Sequence, residues 1–274
     1  MTARAERVPA EEVRQRMLDA GRELAIEAGA ALTIEHLRLE EVIQRARVPR
    51  SSVYRLWSYR DEYIDDLLCY LAGAGSLFGS RPVFDPETFS VASQVLADNR
   101  HLLSTPDGRR ALMREVVRVT AKRNYQALTE SAPWRLHMAL VATLGSTRSG
   151  EARRQIAAAL EEAQLRARES LVALFAYLMA EIGLRLRDPA WTADHLQITG
   201  GLLVQALALR NLQVQAADGA FEAGAVDALL NAPVPGPGLN GQTAEWTLVS
   251  HAYAGLVDGF VELDPDFTPP SLVG

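Results

Sequence analysis

Cysteine is nearly absent from this chain of 274 residues. Its one example, Cys69, leaves no partner for an intramolecular disulfide, and no group of Cys and His has the spacing of a zinc site. No metal or other cofactor is expected. Lysine is almost as scarce, with 27 Arg to one Lys; together with the abundance of Ala this is the composition of a high-GC bacterial genome. Long apolar runs are missing as well. Charges interrupt every stretch well short of the roughly 20 residues a membrane span needs, so no membrane partner is expected. The opening Met1–Arg7 stretch has no apolar core and no cleavage site, which predicts no secretory signal and a cytoplasmic protein. Strand patterning and internal repeats are absent too.

What is present is helical periodicity. From Pro9 to Gly29 the residues Val13, Met17, Ala20, Gly21, Leu24, Ala25 and Ala28 form one apolar stripe, closed by Gly29 at a C′ position. Leu39, Val42, Ile43 and Ala46 predict a short second helix, and a third runs from about Pro49 to Trp57. A fourth starts after Ser58, where Ser58 and Asp61 fit a capping box. Capping residues followed by Pro announce later helices at Asp85-Pro86, Thr105-Pro106 and Asp188-Pro189. Helical patterns cover about 86–103, 106–129, 133–147, 150–187, 190–216 and 243–261. The Pro/Gly-rich stretch 231–241 reads as a mobile loop. The fold class is all-α.

Charge is unevenly spread. The formal net charge is −6, and 48% of residues are hydrophobic. Yet residues 1–60 hold eleven Arg against nine Asp or Glu, and residues 38–60 hold six Arg against two Glu, a local excess of +4. A phosphate backbone responds to such a patch more than to the global sum. On a helical wheel of the third helix, Pro49, Val53, Leu56 and Trp57 face inward, toward Val42, Ile43 and Ala46. Ser51, Ser52, Tyr54 and Arg55 face outward, with Arg50 at the edge. The outward set suits a major groove: hydroxyls permit close approach, Arg pairs bidentately with guanine, and Tyr reaches phosphate.

Two short helices joined by a tight turn behind a longer helix make a helix-turn-helix unit. The stretch Val42 to Arg60 resembles the TetR family of transcriptional regulators, whose pattern is close to I-A-x-x-A-G-V-S-x-x-x-(aliphatic)-Y-x-x-F-x-x-K. Ala46, Val48, Tyr54 and the aromatic Trp57 stand at the matching spacings, and Arg60 stands at the phosphate-contacting Lys. Arg47 takes the place of the turn Gly, which predicts a left-handed backbone at a non-Gly residue. Pro49 replaces a Ser or Thr, Arg38 replaces a Ser or Thr that touches phosphate in the family, Ile43 replaces a small Ala, and Ala30–His36 is longer than usual.

The resemblance implies a DNA-binding domain over 1–60 and a helical effector-binding and dimerisation domain over 61–274. DNA contacts are expected from Arg38, Arg47, Arg50, Ser51, Ser52, Tyr54, Arg55 and Arg60. The implied partners are a palindromic double-stranded operator, an unknown small-molecule effector, and a second copy of the chain joined through helices near 190–216 and 243–261. Polar and aromatic residues scattered among the later helices are candidates for a ligand pocket: His101, Tyr125, Trp134 and His137 foremost, then Asn124, Trp191 and His195. No catalytic constellation stands out, and the pair Glu161-Glu162 beside Arg166 and Arg168 reads as a solvated helix face. An enzyme is not expected. The alternatives are a DNA-binding protein governed by a protein partner, and a helical scaffold or enzyme carrying a vestigial DNA-binding module.

Overall fold

The computed structural model describes residues 9–27, 37–73, 87–145, 147, 149–216 and 223–269. The helix-ending Gly29, the segment Ala30–His36, the Asp85-Pro86 cap and the side chain of Arg166 lie outside the described residues. Helix makes up 78% of the structure, and the all-α class holds. The chain divides into two compact units, one of residues 1–83 with 131–165 and one of 84–130 with 166–274. The division by compactness thus runs differently from the functional boundary expected at residue 60.

In the first unit, α1 (Ala10–Glu27), α2 (Leu39–Ala46), α3 (Arg50–Leu56) and α4 (Arg60–Ala72) share a core with α7 (Ala132–Thr143) and the first half of α8 (Gly150–Ile182). The α1 stripe buries Val13, Met17, Ala20, Gly21 and Leu24 as its spacing predicts, and Leu18 joins them. At Gly21 the approach of α4 demands a missing side chain: a Cβ there would lie 2.3 Å from the Tyr63 hydroxyl. Polar staples fix the same pair of helices. Asp66 accepts from Arg14 Nε at 2.9 Å and from Trp57 Nε1 at 3.2 Å, and Tyr63 donates to the Met17 carbonyl at 3.0 Å. The edge of the Trp57 ring meets Tyr63 with centroids 5.2 Å apart. The start of α4 departs from expectation. Its N-cap is Tyr59, and Glu62, not Asp61, turns its carboxylate back to the amides of Ser58 and Tyr59.

In the second unit, α6 (Pro106–Glu130) packs against α5 (Glu87–Asp98), α9 (Ala193–Ala216) and α11 (Leu248–Phe260). Thr105 caps α6 as expected, accepting from the Gly108 amide at 3.1 Å. Other boundaries are corrected. The pattern read as 86–103 is α5 followed by a 3-10 turn over Arg100–Ser104. The pattern read as 133–147 ends as α7 at Thr143. The long helix α8 stops at Ile182, because Gly183 adopts φ +72 beneath the Phe267 ring; Leu184–Leu186 then forms β1. Asp188-Pro189 makes a turn, with Asp188 accepting from the Ala190 amide at 2.8 Å, and α9 begins only at Ala193.

The stretch expected to be a mobile loop is an ordered ribbon. A further helix, α10 (Ala223–Asn231), precedes β2 (Val234–Pro237), which pairs antiparallel with β3 (Thr243–Trp246). The turn between them uses φ +53 at Asn240 and +75 at Gly241. Pro235 and Pro237 stand two apart, so their missing N–H groups share one side of β2, while the Gly238 amide on the other side donates to the Gln242 carbonyl at 2.7 Å. Trp246 covers Gly236 and donates to the Pro237 carbonyl at 2.9 Å. The last helix therefore starts at Leu248, capped by Thr247, and not near 243. A second ribbon pairs β1 with β4 (Val261–Leu263), Leu184 opposite Leu263. It is held by Arg109, a buried cation that donates to the carbonyls of Gly183 and Asp264, each at 3.2 Å, and lies 4.9 Å from the Phe267 ring centre.

Candidate nucleic-acid interface and ligand cavity

The connection between α2 and α3 is three residues long. Arg47 takes φ 52, ψ 46 at the C-cap of α2 and donates its amide to the Gln44 carbonyl, the left-handed turn that the resemblance implies at this position. Val48 then drops into the core beside Val53 and Trp57. Pro49 is the N-cap of α3 and is exposed, whereas the wheel placed it inward; the residue before it fills that place. Val42 and Ala46 are buried and Ile43 half-buried, so the bulkier Ile43 is carried at the edge of the core.

With that backing, α3 turns Arg50, Ser51, Tyr54 and Arg55 to solvent, and Ser52 is half-buried. Arg38 and Arg47 are also exposed, at the start and end of α2. Arg50 is engaged already: it meets Glu40 on α2 at 2.8 Å and lies 5.9 Å from the Tyr54 ring centre. Tyr54 first and Glu40 second push its guanidinium pKa upward, so it stays charged. Arg60 also has a structural bond: its Nε and Nη2 donate to the Leu37 carbonyl at 3.3 and 3.1 Å and fix the entry to α2. Arg45, on the same helix, is tied to Glu27 of α1 by two bonds of 2.7 and 2.8 Å. The face thus keeps Arg38, Arg47, Arg50, Ser51, Tyr54 and Arg55 open. Glu40 was not among the sequence candidates. Its i and i+10 relation to Arg50 spans the turn, so no single-helix periodicity points to it.

The four foremost ligand candidates do not come together. His101 is exposed in the 3-10 turn before α6. Tyr125 is buried and donates to Asn231 Oδ1 at 3.1 Å, with Asn231 bonded in turn to Asn211 at 2.8 Å. Trp134 and His137 are buried in the first unit, where the His137 ring meets the Gln164 amide at 3.2 Å and burial lowers its pKa. Of the wider set, Trp191 stacks edge-on with His195 and Phe260 at the surface.

Asn124 is the exception. It lines an apolar cavity inside the second unit, walled by α5, α6, the second half of α8, α9, α11 and the strands β1 and β4, with Met113, Phe175 and Tyr253 among its neighbours. About 70 Å³ is open to the centres of water-sized spheres, room for several waters. Asn124 Oδ1 is buried there without a hydrogen-bond partner. Such a group costs about 1–3 kcal/mol in the fold. The Thr120 hydroxyl donates to the Val116 carbonyl at 2.7 Å, and burial pushes the Tyr253 hydroxyl pKa upward. Among the described residues of this wall, none is charged.

No protein-family model matches this chain, and no curated protein matches it in sequence.

Proposed function

We propose that the chain is a ligand-responsive transcriptional regulator of TetR type, in which α2 and α3 form a helix-turn-helix that reads operator DNA. The observation that carries the reading is the α2–α3 face: six Arg, Ser and Tyr side chains stand open to solvent, over an apolar core that needs none of them. Arginines, a hydroxyl and a tyrosine gathered on one face suit the phosphates and base edges of a duplex. The left-handed Arg47, with its side chain exposed, adds a charge at the turn where it can meet a phosphate. Arg50 and Tyr54 stand where base edges and backbone would lie, with Glu40 holding Arg50 until DNA displaces it.

Operator reading of this kind uses two copies related by a two-fold axis, with half-sites about 34–36 Å apart. Helices α9 and α11 supply a surface for the second copy. Ile198, Leu202 and Leu209 leave large apolar side chains exposed on α9, Leu202 to 63%, and Leu248, Gly255 and Gly259 stand open on α11. The cavity in the second unit is the effector site, and α8, which contributes to both units, carries the response through the backbone.

The test is a fluorescence titration of the chain against duplex DNA at two salt concentrations, beside the double variant Arg50→Ala/Tyr54→Ala. The wild type is expected to bind with a steep salt slope, and the variant to lose about 100-fold at an unchanged melting temperature. Equal binding by the two proteins would remove α3 as the reading element.

A further inference from the structure

The cavity wall specifies the chemistry of its occupant. Among the described residues, its lining has neither a cation to hold an anion nor a carboxylate to hold a cation, so a desolvated charge finds no partner among them. Among the described residues of the wall, the acceptor Asn124 Oδ1 is buried and receives no hydrogen bond. Thr120 cannot donate to a ligand while its hydroxyl donates to the Val116 carbonyl. The open space admits one ring or a short chain, and the thioethers of Met113 and Met179 give the wall some freedom to adjust.

We infer that the cavity binds a small, uncharged, mostly apolar molecule with one hydrogen-bond donor, a hydroxyl or N–H, directed at Asn124 Oδ1. The name of effector site for this cavity rests on the regulator reading above; the chemistry of its ligand does not. A donor that reaches the amide oxygen meets a demand left open in the empty protein, and the apolar remainder is buried against Leu171, Leu174, Phe175 and Val257. Selectivity follows, since a molecule of the same shape without the donor leaves Asn124 as it was.

Three probes of one ring size separate the possibilities in calorimetric titrations of the full chain: phenol, which is uncharged at neutral pH and donates; anisole, whose oxygen is capped by methyl; and benzoate, an anion. Phenol is expected to bind about 5–10-fold tighter than anisole, the worth of one neutral hydrogen bond, with no detectable binding of benzoate. In Asn124→Leu the preference for phenol disappears while anisole still binds, which also shows that the variant is folded. Benzoate binding as tightly as phenol, a phenol preference kept in Asn124→Leu, or no binding of either neutral ring would each overturn the inference. If phenol binds as expected but leaves DNA affinity unchanged, the cavity chemistry stands and the effector role fails. If DNA binds normally and neither ring does, the cavity chemistry alone fails.

Discussion

On the α2–α3 surface the polar side chains stand outside a closed apolar core, whereas around the cavity of the second unit an unpaired polar group, Asn124 Oδ1, stands in a mostly apolar wall. The difference separates two kinds of site. An exposed arginine such as Arg55 adds little to stability, because water already serves it, and is free to be spent on a partner. A buried amide oxygen such as that of Asn124 carries a standing cost that a ligand can relieve. Arg109 marks a third case: buried, with its Nη1 donating to the Gly183 and Asp264 carbonyls, it holds the fold.

The comparison breaks most sharply at Asp66, which lies under the α2–α3 surface and not on it. Asp66→Ala deprives both Arg14 and Trp57 of their acceptor. A stability loss of about 2–3 kcal/mol is expected in denaturant titrations, as for other partly buried charge-assisted bonds. DNA affinity of the folded fraction should change little. A stable Asp66→Ala protein that fails to bind DNA would mean that the surface depends on this staple electrostatically and not through the fold.

A middle-sized effect sharpens the contrast on the surface itself. Glu40→Gln frees Arg50 from its carboxylate and removes a negative charge from the face. Binding to duplex DNA is expected to tighten about 3–10-fold, with stability moved by no more than the roughly 0–1 kcal/mol of an exposed pair. Weaker binding would assign Glu40 a positive part in recognition. The smallest effect is at the turn. Arg47→Gly relieves a non-Gly residue at φ 52 and is expected to raise stability by about 0.5–1 kcal/mol while loosening DNA a few-fold. Opposite signs in the two measurements are the signature of a residue kept for its charge at a conformational cost.

Much of this was legible in the sequence wherever the periodicity belongs to one element. The α1 stripe and the outward Arg50, Ser51, Tyr54 and Arg55 follow from spacing within a helix, and the left-handed turn at Arg47 from the resemblance to a pattern with Gly at that place. What was not legible depends on partners far along the chain. Gly183 ends α8 because Phe267 covers it and Arg109 bonds its carbonyl, contacts set by residues more than seventy positions away. The prolines of 231–241 signal a loop by composition, but their alternate spacing leaves one side of β2 able to pair, and Trp246 closes over Gly236. The bond from Arg60 to the Leu37 carbonyl, 23 positions away, is likewise invisible to local spacing. The cavity is assembled from five helices and two short strands, and nothing in the local pattern distinguishes Asn124 from Tyr125, whose hydroxyl is satisfied by Asn231.

The most direct measurement is a selection from random duplex DNA with the wild-type chain, run in parallel with Arg50→Ala/Tyr54→Ala. A reading head on α3 in a two-fold dimer should enrich an inverted repeat whose half-sites are centred about 10 base pairs or a multiple apart, and the variant should enrich none. A wild-type pool that stays random, or a variant that recovers the same repeat, would contradict DNA reading by this face.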